Sequence, residues 1–205
     1  MKSLHFLASV AIVTFSIISC NSSKNTTKNE KSTRKKDPAA AEAAVKIGKM
    51  LDLLATDLIG ASGQKAEIIR TAEGINITFQ PDFYFESSSE HLTSDAKGVL
   101  DDISSVLSRY PYTEIFIEGH ADSSGNQWNN KKLSEMRAKT VALYFKAHDV
   151  TADRLAIAGY GATRPIESNS TPEGRRKNRR VLVKIRANEE KFLASQAAAK
   201  VSGGK

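Results

Sequence analysis

The stretch Gly119–Ala138, GHADSSGNQWNNKKLSEMRA, brings a carboxylate and a guanidinium into one short span of chain. Asp122 follows the apolar run Ile115-Phe116-Ile117, which reads as a strand, and Arg137 lies inside a helix-like run from Leu133 to Phe145. A strand end and a helix are rigid supports, so a fixed anion and a fixed cation there form a template for a small zwitterion. An ammonium would sit on Asp122, and a carboxylate would meet the planar fork of Arg137 through paired hydrogen bonds. Each residue also has a structural reading. Arg137 lies on the edge of an apolar stripe, between Leu133 and Val141, where a cation is costly unless paired, and a salt bridge from helix to loop would meet that need. Asp122 at a loop start suits an Asx turn. Asn130, about two turns before Arg137, faces the same side and reads as a helix cap, a ligand contact or both.

Other chemistries fit less well. His120 with Asp122 and the Ser123-Ser124 hydroxyls would crowd a nucleophile, a base and an orienting acid into one loop, and no G-x-S-x-G elbow is present. His5, His91, His120 and His148 lack ligand spacing and Cys20 is the single cysteine, so no metal site and no cofactor are expected. His120 reads as a structural residue tying strand to loop. The net charge of +7 invites a nucleic-acid reading. More than half of it comes from Lys24, Lys28, Lys31, Arg34, Lys35 and Lys36 against Glu30 and Asp37, a run that reads as a solvated linker. A second basic run, Arg175 to Arg180, has no stacking aromatics beside it, so no nucleic-acid partner is expected.

The elements that must position these residues follow from periodicity. After Pro38, Val45, Ile47, Met50, Leu51, Leu54, Leu58 and Ile59 recur at helical spacing, predicting a helix of about five turns ended by Gly60 or Gly63. Its apolar stripe has two possible partners, the rest of this chain, which is the commoner case, or a second copy. Glu67–Arg70 and Ile75–Phe79 around Glu73-Gly74 predict a hairpin. Thr93 or Ser94 would cap a helix to about Arg109, with Ala96, Val99, Leu100, Ile103, Val106 and Leu107 on one face. A strand over Thr113–Glu118, a helix over Asn130–His148 and strands at Leu155–Ala158 and Arg180–Arg186 complete the pattern. The fold class is α/β, an α+β two-layer sandwich with a mixed sheet backed by two main helices. Phe83-Tyr84-Phe85 reads as core rather than binding surface.

The N-terminus carries a further signal. Lys2 precedes an apolar run from Phe6 to Ile18, too short to span a bilayer and suited to a signal h-region. It ends in Ile17-Ile18-Ser19-Cys20, which resembles the bacterial lipobox and predicts an acylated, palmitate-bearing Cys20. The expected layout is a signal peptide over 1–19, the lipidated cysteine and a basic tether over 20–37, an amphipathic helix over 38–63, a domain over 64–187 and a tail over 188–205. Fully extended, the tether would reach roughly 55 Å.

Four motifs stand in order over roughly half the chain: GHADSSG from Gly119, N-x-x-L-S-x-x-R-A-x-x-V from Asn130 to Val141, GYGATRPI from Gly159 to Ile166, and NRRV from Asn178 to Val181. Together they resemble the C-terminal domain of OmpA and the peptidoglycan-associated lipoproteins. The resemblance implies a non-catalytic protein, anchored by lipid in the outer membrane and facing the periplasm, that grips the diaminopimelate of the peptidoglycan stem peptide. It assigns the ammonium to Asp122 and the carboxylate to Arg137, adds hydrogen bonds from Asn130 and Arg179, and places Glu86 and Ser88 at the pocket edge. Ala121 departs from the family, where a threonine is common. The alternative implied is an envelope assembly component, in a secretion, motor or division complex, that uses the domain for positioning among protein partners.

Overall fold

The computed structural model describes residues 38–86 and 88–202; the expected signal peptide, Cys20 and the tether lie outside the described residues. Helix α1 (Pro38–Ser62) starts on a proline, whose fixed φ suits a first turn, and stops before Gly63 at φ +54°. Its 25 residues run to the second of the two expected stops. Strands β1 (Glu67–Thr71) and β2 (Gly74–Phe79) form the expected antiparallel hairpin, from Glu67 opposite Thr78 to Thr71 opposite Gly74. The aromatic trio does not continue a strand. Pro81 starts a single helical turn, α2 (Pro81–Tyr84), and Phe85 makes an isolated bridge to Leu92.

Helix α3 (Ser94–Ser108) is capped by Thr93, whose hydroxyl accepts from the Ala96 amide. Strand β3 (Thr113–His120) leads through the 121–126 loop into helix α4 (Gln127–Ala147). Asn126 takes the cap position and accepts from the Asn129 amide, so Asn130 lies inside the first turn and is not the cap. Strand β4 (Leu155–Gly161), helix α5 (Pro172–Asn178), strand β5 (Arg180–Ala187) and helix α6 (Glu189–Ser202) complete the described chain. Most of the tail is this last helix, and its Phe192 is buried against the edge of Tyr112.

The sheet runs in the order β1-β2-β5-β3-β4, antiparallel except for the parallel β3–β4 pair, which makes it mixed. Alternation sends Ile75, Ile77, Phe79, Ile115, Ile117, Val181, Val183 and Ile185 to one face, all buried. Leu100, Ile103 and Leu107 of α3, and Ala138, Val141 and Phe145 of α4, fill the layer against it. Leu54 and Leu58 of α1 are fully buried in this same core, so three helices rather than two back the domain.

Helix α4 lies unusually close to β3 and β4, and two glycines permit it. A Cβ on Gly119 would stand 1.8 Å from the Ser134 carbonyl oxygen, and one on Gly159 would stand 2.5 Å from the Glu135 amide nitrogen. Gly119→Ala must therefore push the helix that carries Arg137 off the sheet. A loss of about 3 kcal/mol in urea unfolding is expected, at the upper end of overpacking costs. Gly98, exposed in α3 with nothing within 4 Å of where a Cβ would stand, makes the control. Gly98→Ala is expected to gain up to about 1 kcal/mol from helix propensity.

Candidate ligand-binding cleft

Between α2, the 86–90 loop, the end of β3, α4 and the start of β5 lies a cleft of about 530 Å³. Asp122, Arg137, Asn130, Arg179, Glu86 and Ser88, the six residues singled out from sequence, all line it. The 121–124 loop is held by two features. Asp122 Oδ1 accepts from the Ser124 amide at 2.8 Å, the Asx-type turn that its position suggested, and Asn130 Nδ2 donates to the carbonyls of Asp122 and Ser124 at 3.1 and 2.7 Å. Both Asn130 amide hydrogens are thereby used to fix the loop to α4. Only its carbonyl oxygen is left for a ligand, and that atom is an acceptor.

Asp122 is buried, and its Oδ2 accepts from Arg179 Nη1 at 2.9 Å. Arg179 also reaches Asp82 Oδ2 at 3.4 Å, so the cation bridges two carboxylates across the cleft. Burial works to raise the Asp122 pKa, but the Arg179 guanidinium and the Ser124 donors outweigh it and hold the carboxyl below its usual range. Asp82 is a cleft residue that sequence reading missed, having looked for the acidic partner after the aromatic trio. Glu86 and Ser88 are exposed at the rim, Ser88 with φ at +53°.

Arg137 differs from every other buried cation here. It is 8% exposed, its Nε donates to the Ser89 carbonyl at 2.9 Å, and its guanidinium lies 5.1 Å from the Phe85 ring centroid. Among the described residues it has no carboxylate within salt-bridge distance, and neither Nη group has a hydrogen-bond partner. The salt bridge considered for it is absent there. Burial lowers its pKa, with Asp82 and Glu90 acting the other way. Phe85 belongs to the core, as expected of the trio, and also forms part of the cleft wall beneath this cation.

Arg154, which sequence reading did not single out, shows what a structural arginine looks like. Also buried, it donates to the carbonyls of Thr113, Leu107 and Tyr110 and to the Thr113 hydroxyl, tying the end of α3 to the start of β3. Arg180 alternates to the sheet face opposite the helices and donates to the Asn178 and Arg164 carbonyls. The rest of the basic run is spread among local partners: Arg176 with Glu173, Lys177 with Glu167, and Arg175 with the Asn169 carbonyl. Asn178, fully buried, accepts from the Ile166 and Glu167 amides and organises the loop before α5.

His120 faces away from the cleft and does not tie strand to loop. Neither ring nitrogen is hydrogen-bonded; the imidazole stacks on Tyr160 at 5.4 Å, and its Nε2 lies 3.5 Å from Glu118. Burial, reinforced by Arg180 and only partly opposed by Glu118, lowers its pKa to about 4. Because the folded pKa lies below the unfolded one, acid favours the unfolded chain between roughly pH 6.5 and 4. His120→Leu should therefore lose about 1.5 kcal/mol less stability than wild type between pH 6.5 and 5, read by urea titrations at each pH. Parallel pH curves would show that the imidazole does not titrate in this way. Among the described residues, no group of three or more His, Cys, Asp or Glu side chains is placed to hold a metal ion, and no helix is long and apolar enough to cross a membrane.

Comparison with known proteins follows the same geometry. Residues 84–179, which include all the cleft residues named above except Asp82, match the OmpA family. The outer-membrane lipoprotein YfiB of Pseudomonas aeruginosa is 31% identical over 115 residues, 56% of this chain and 68% of that protein. The peptidoglycan-binding protein ArfA of Mycobacterium tuberculosis is 41% identical over 87 residues, 42% of this chain and 27% of ArfA. The solved cell wall anchor of the T6SS from Pseudomonas aeruginosa aligns with a TM-score of 0.58 at 27% identity, over 67% of this chain and 96% of that one. The chain spans about half the length of a further curated relative from Escherichia coli, 56%, and less of ArfA.

Proposed function

The chain belongs to the OmpA family, and we propose that it is a non-catalytic peptidoglycan-binding lipoprotein that tethers the outer membrane to the cell wall. The observation that carries this reading is the buried Arg137, whose Nη groups have no protein partner among the described residues. Those groups open onto the cleft, where a ligand carboxylate arriving bidentately would meet a guanidinium already held by the Ser89 carbonyl and the Phe85 ring. The free head of diaminopimelate in a stem peptide offers such a carboxylate beside an ammonium. The ammonium lies on Asp122, sharing the carboxylate with Arg179, and the Asn130 carbonyl accepts a further N–H. Glu86 and Ser88 border the same head from the rim. No bond is made or broken. Cys20 carries the acyl chains, the 20–37 tether supplies reach, and the domain faces the periplasm. The names of ArfA and the T6SS anchor support wall association, and that of YfiB supports an outer-membrane lipoprotein.

Retention of the full chain on purified sacculi, with free diaminopimelate as competitor, tests this. Saturable pelleting that diaminopimelate displaces is expected. Because Asp122 stays ionised to unusually low pH, retention should persist down to the ordinary carboxylate range and fall only below it. Folded protein that fails to pellet would show that the family fold is present without its wall ligand. The likeness to the T6SS anchor favours one second reading, in which the same grip positions an envelope assembly.

A further inference from the structure

Behind the first turn of α4 lies a second hollow, of about 300 Å³, lined by Gln127, Trp128, Lys131, Tyr160 and Thr163 among others. Trp128 is 67% exposed, and Lys132 Nζ stands 5.2 Å from its ring centroid. Lys132 thus covers one face of the ring, and the rest of it stands in solvent on a rigid helix. Tyr160 is not open in this way: its ring is stacked by His120 and by the Arg164 guanidinium at 3.6 Å. It forms the floor, and Lys131, whose Nζ donates to the Gly159 carbonyl, forms one side. The indole is the open plate of this hollow.

We propose that this hollow is a carbohydrate subsite, with Trp128 stacking on a pyranose ring of the peptidoglycan glycan strand. The inference rests on the wall-binding function above and extends it from the stem peptide to the sugars. Three observations support a sugar as the occupant. An indole plate flanked by the Gln127 amide and by Lys131 and Lys132 suits a ring with apolar C–H faces and an equatorial belt of hydroxyls and amides. The hollow and the cleft flank the same helical turn, since Trp128 and Asn130 lie two residues apart and so point to nearly opposite sides of α4. The spacing also fits. Diaminopimelate is the third residue of the stem, and three extended residues span about 10 Å. That matches the roughly 10 Å diameter of a helix, so one repeat unit can straddle α4 with its head in the cleft and its sugar on Trp128. A lipid surface is the rival occupant.

Trp128 is the only tryptophan in the chain, so intrinsic fluorescence reports on this hollow alone. The full chain in detergent is titrated with a β-1,4-linked N-acetylglucosamine tetramer, with free diaminopimelate and with anionic phospholipid vesicles. A saturable emission change with the tetramer, retained in Arg137→Ala and not produced by diaminopimelate, is expected. Trp128→Ala should weaken sacculus retention by about tenfold, the cost of losing one aromatic anchor. Trp128→Phe should recover part of it, and diaminopimelate should still displace both variants. No response to the tetramer, or a response to vesicles in its place, overturns the proposal whatever the pelleting assay shows. Loss of pelleting with the tetramer response intact would instead overturn the wall-tether reading of the cleft.

Discussion

Replacing Arg137 with alanine is expected to weaken retention on sacculi by about 30-fold or more, the range for one member of a buried, hydrogen-bonded charge pair. Its unfolding free energy without ligand should stay within about 1 kcal/mol of wild type. The two expectations come from one fact. Arg137 is buried with a single hydrogen bond, to the Ser89 carbonyl, and without a carboxylate partner among the described residues, so the free protein loses little when the charge is removed. Arg154→Ala should behave in the opposite way. Four hydrogen bonds to groups at the α3–β3 junction would be lost, at a cost of about 3 kcal/mol or more from carbonyls left buried without donors. Its effect on retention should follow only from unfolding. Thermal unfolding and sacculus pelleting, run on both variants, separate the roles. An Arg137→Ala protein that pelleted normally and lost stability like Arg154→Ala would make Arg137 a structural residue and remove the basis for the cleft reading. Arg137→Lys should fall between, because a point charge cannot reproduce the two-pronged fork.

The contrast between these arginines marks what the amino-acid pattern can carry. The sheet and its helices were legible because alternation in β2, β3 and β5, and 3.6-residue spacing in α3 and α4, state directly which side is buried. Asp122, Asn130, Arg137 and Arg179 stand in the ordered motifs, Glu86 and Ser88 came only with the family resemblance, and the structure brings all six around one cavity. Arg154 carried no signal, because a lone arginine before an apolar run looks the same whether it is solvated or clamped. The Asp82–Arg179–Asp122 chain joins residues from three distant parts of the sequence, and pairing at that separation has no local pattern. The start of α4 was misplaced by three residues because Asn126 and Asn130 are both plausible caps. Only the backbone decides which one takes that position, and the other was then left to hold the loop.

Helix α1 packs on this chain's own domain, the commoner of the two cases its apolar stripe allowed, and this sets how a partner role should be tested. Deleting residues 38–62 is expected to abolish cooperative unfolding of the domain, and sacculus retention with it. Leu51, Leu54, Ala55 and Leu58 are buried in the same core as the sheet, and Leu54 and Leu58 are fully so. Truncating a buried leucine to alanine costs about 2–5 kcal/mol, so removing the whole stripe would consume most of the roughly 5–15 kcal/mol that a domain has. Polar contacts hold the helix as well: Asp57 Oδ2 accepts from the Tyr110 hydroxyl at 2.8 Å, and Asp52 Oδ1 accepts from Arg70 Nε at 3.0 Å. Periodicity shows that one face of a helix is apolar without saying what covers it, and here the cover is this chain's own domain. Leu58→Ala alone should lower the unfolding free energy by about 3 kcal/mol, whereas Leu53→Ala, 63% exposed on the far side, should change it by less than about 0.5 kcal/mol. A truncated chain that kept a cooperative transition and pelleted normally would instead make α1 an appendage. With α1 integral to the fold, an assembly role is tested at its outer face. Leu53→Glu should leave folding and wall retention unchanged, so loss of partner capture in that variant alone would identify the face that a partner uses.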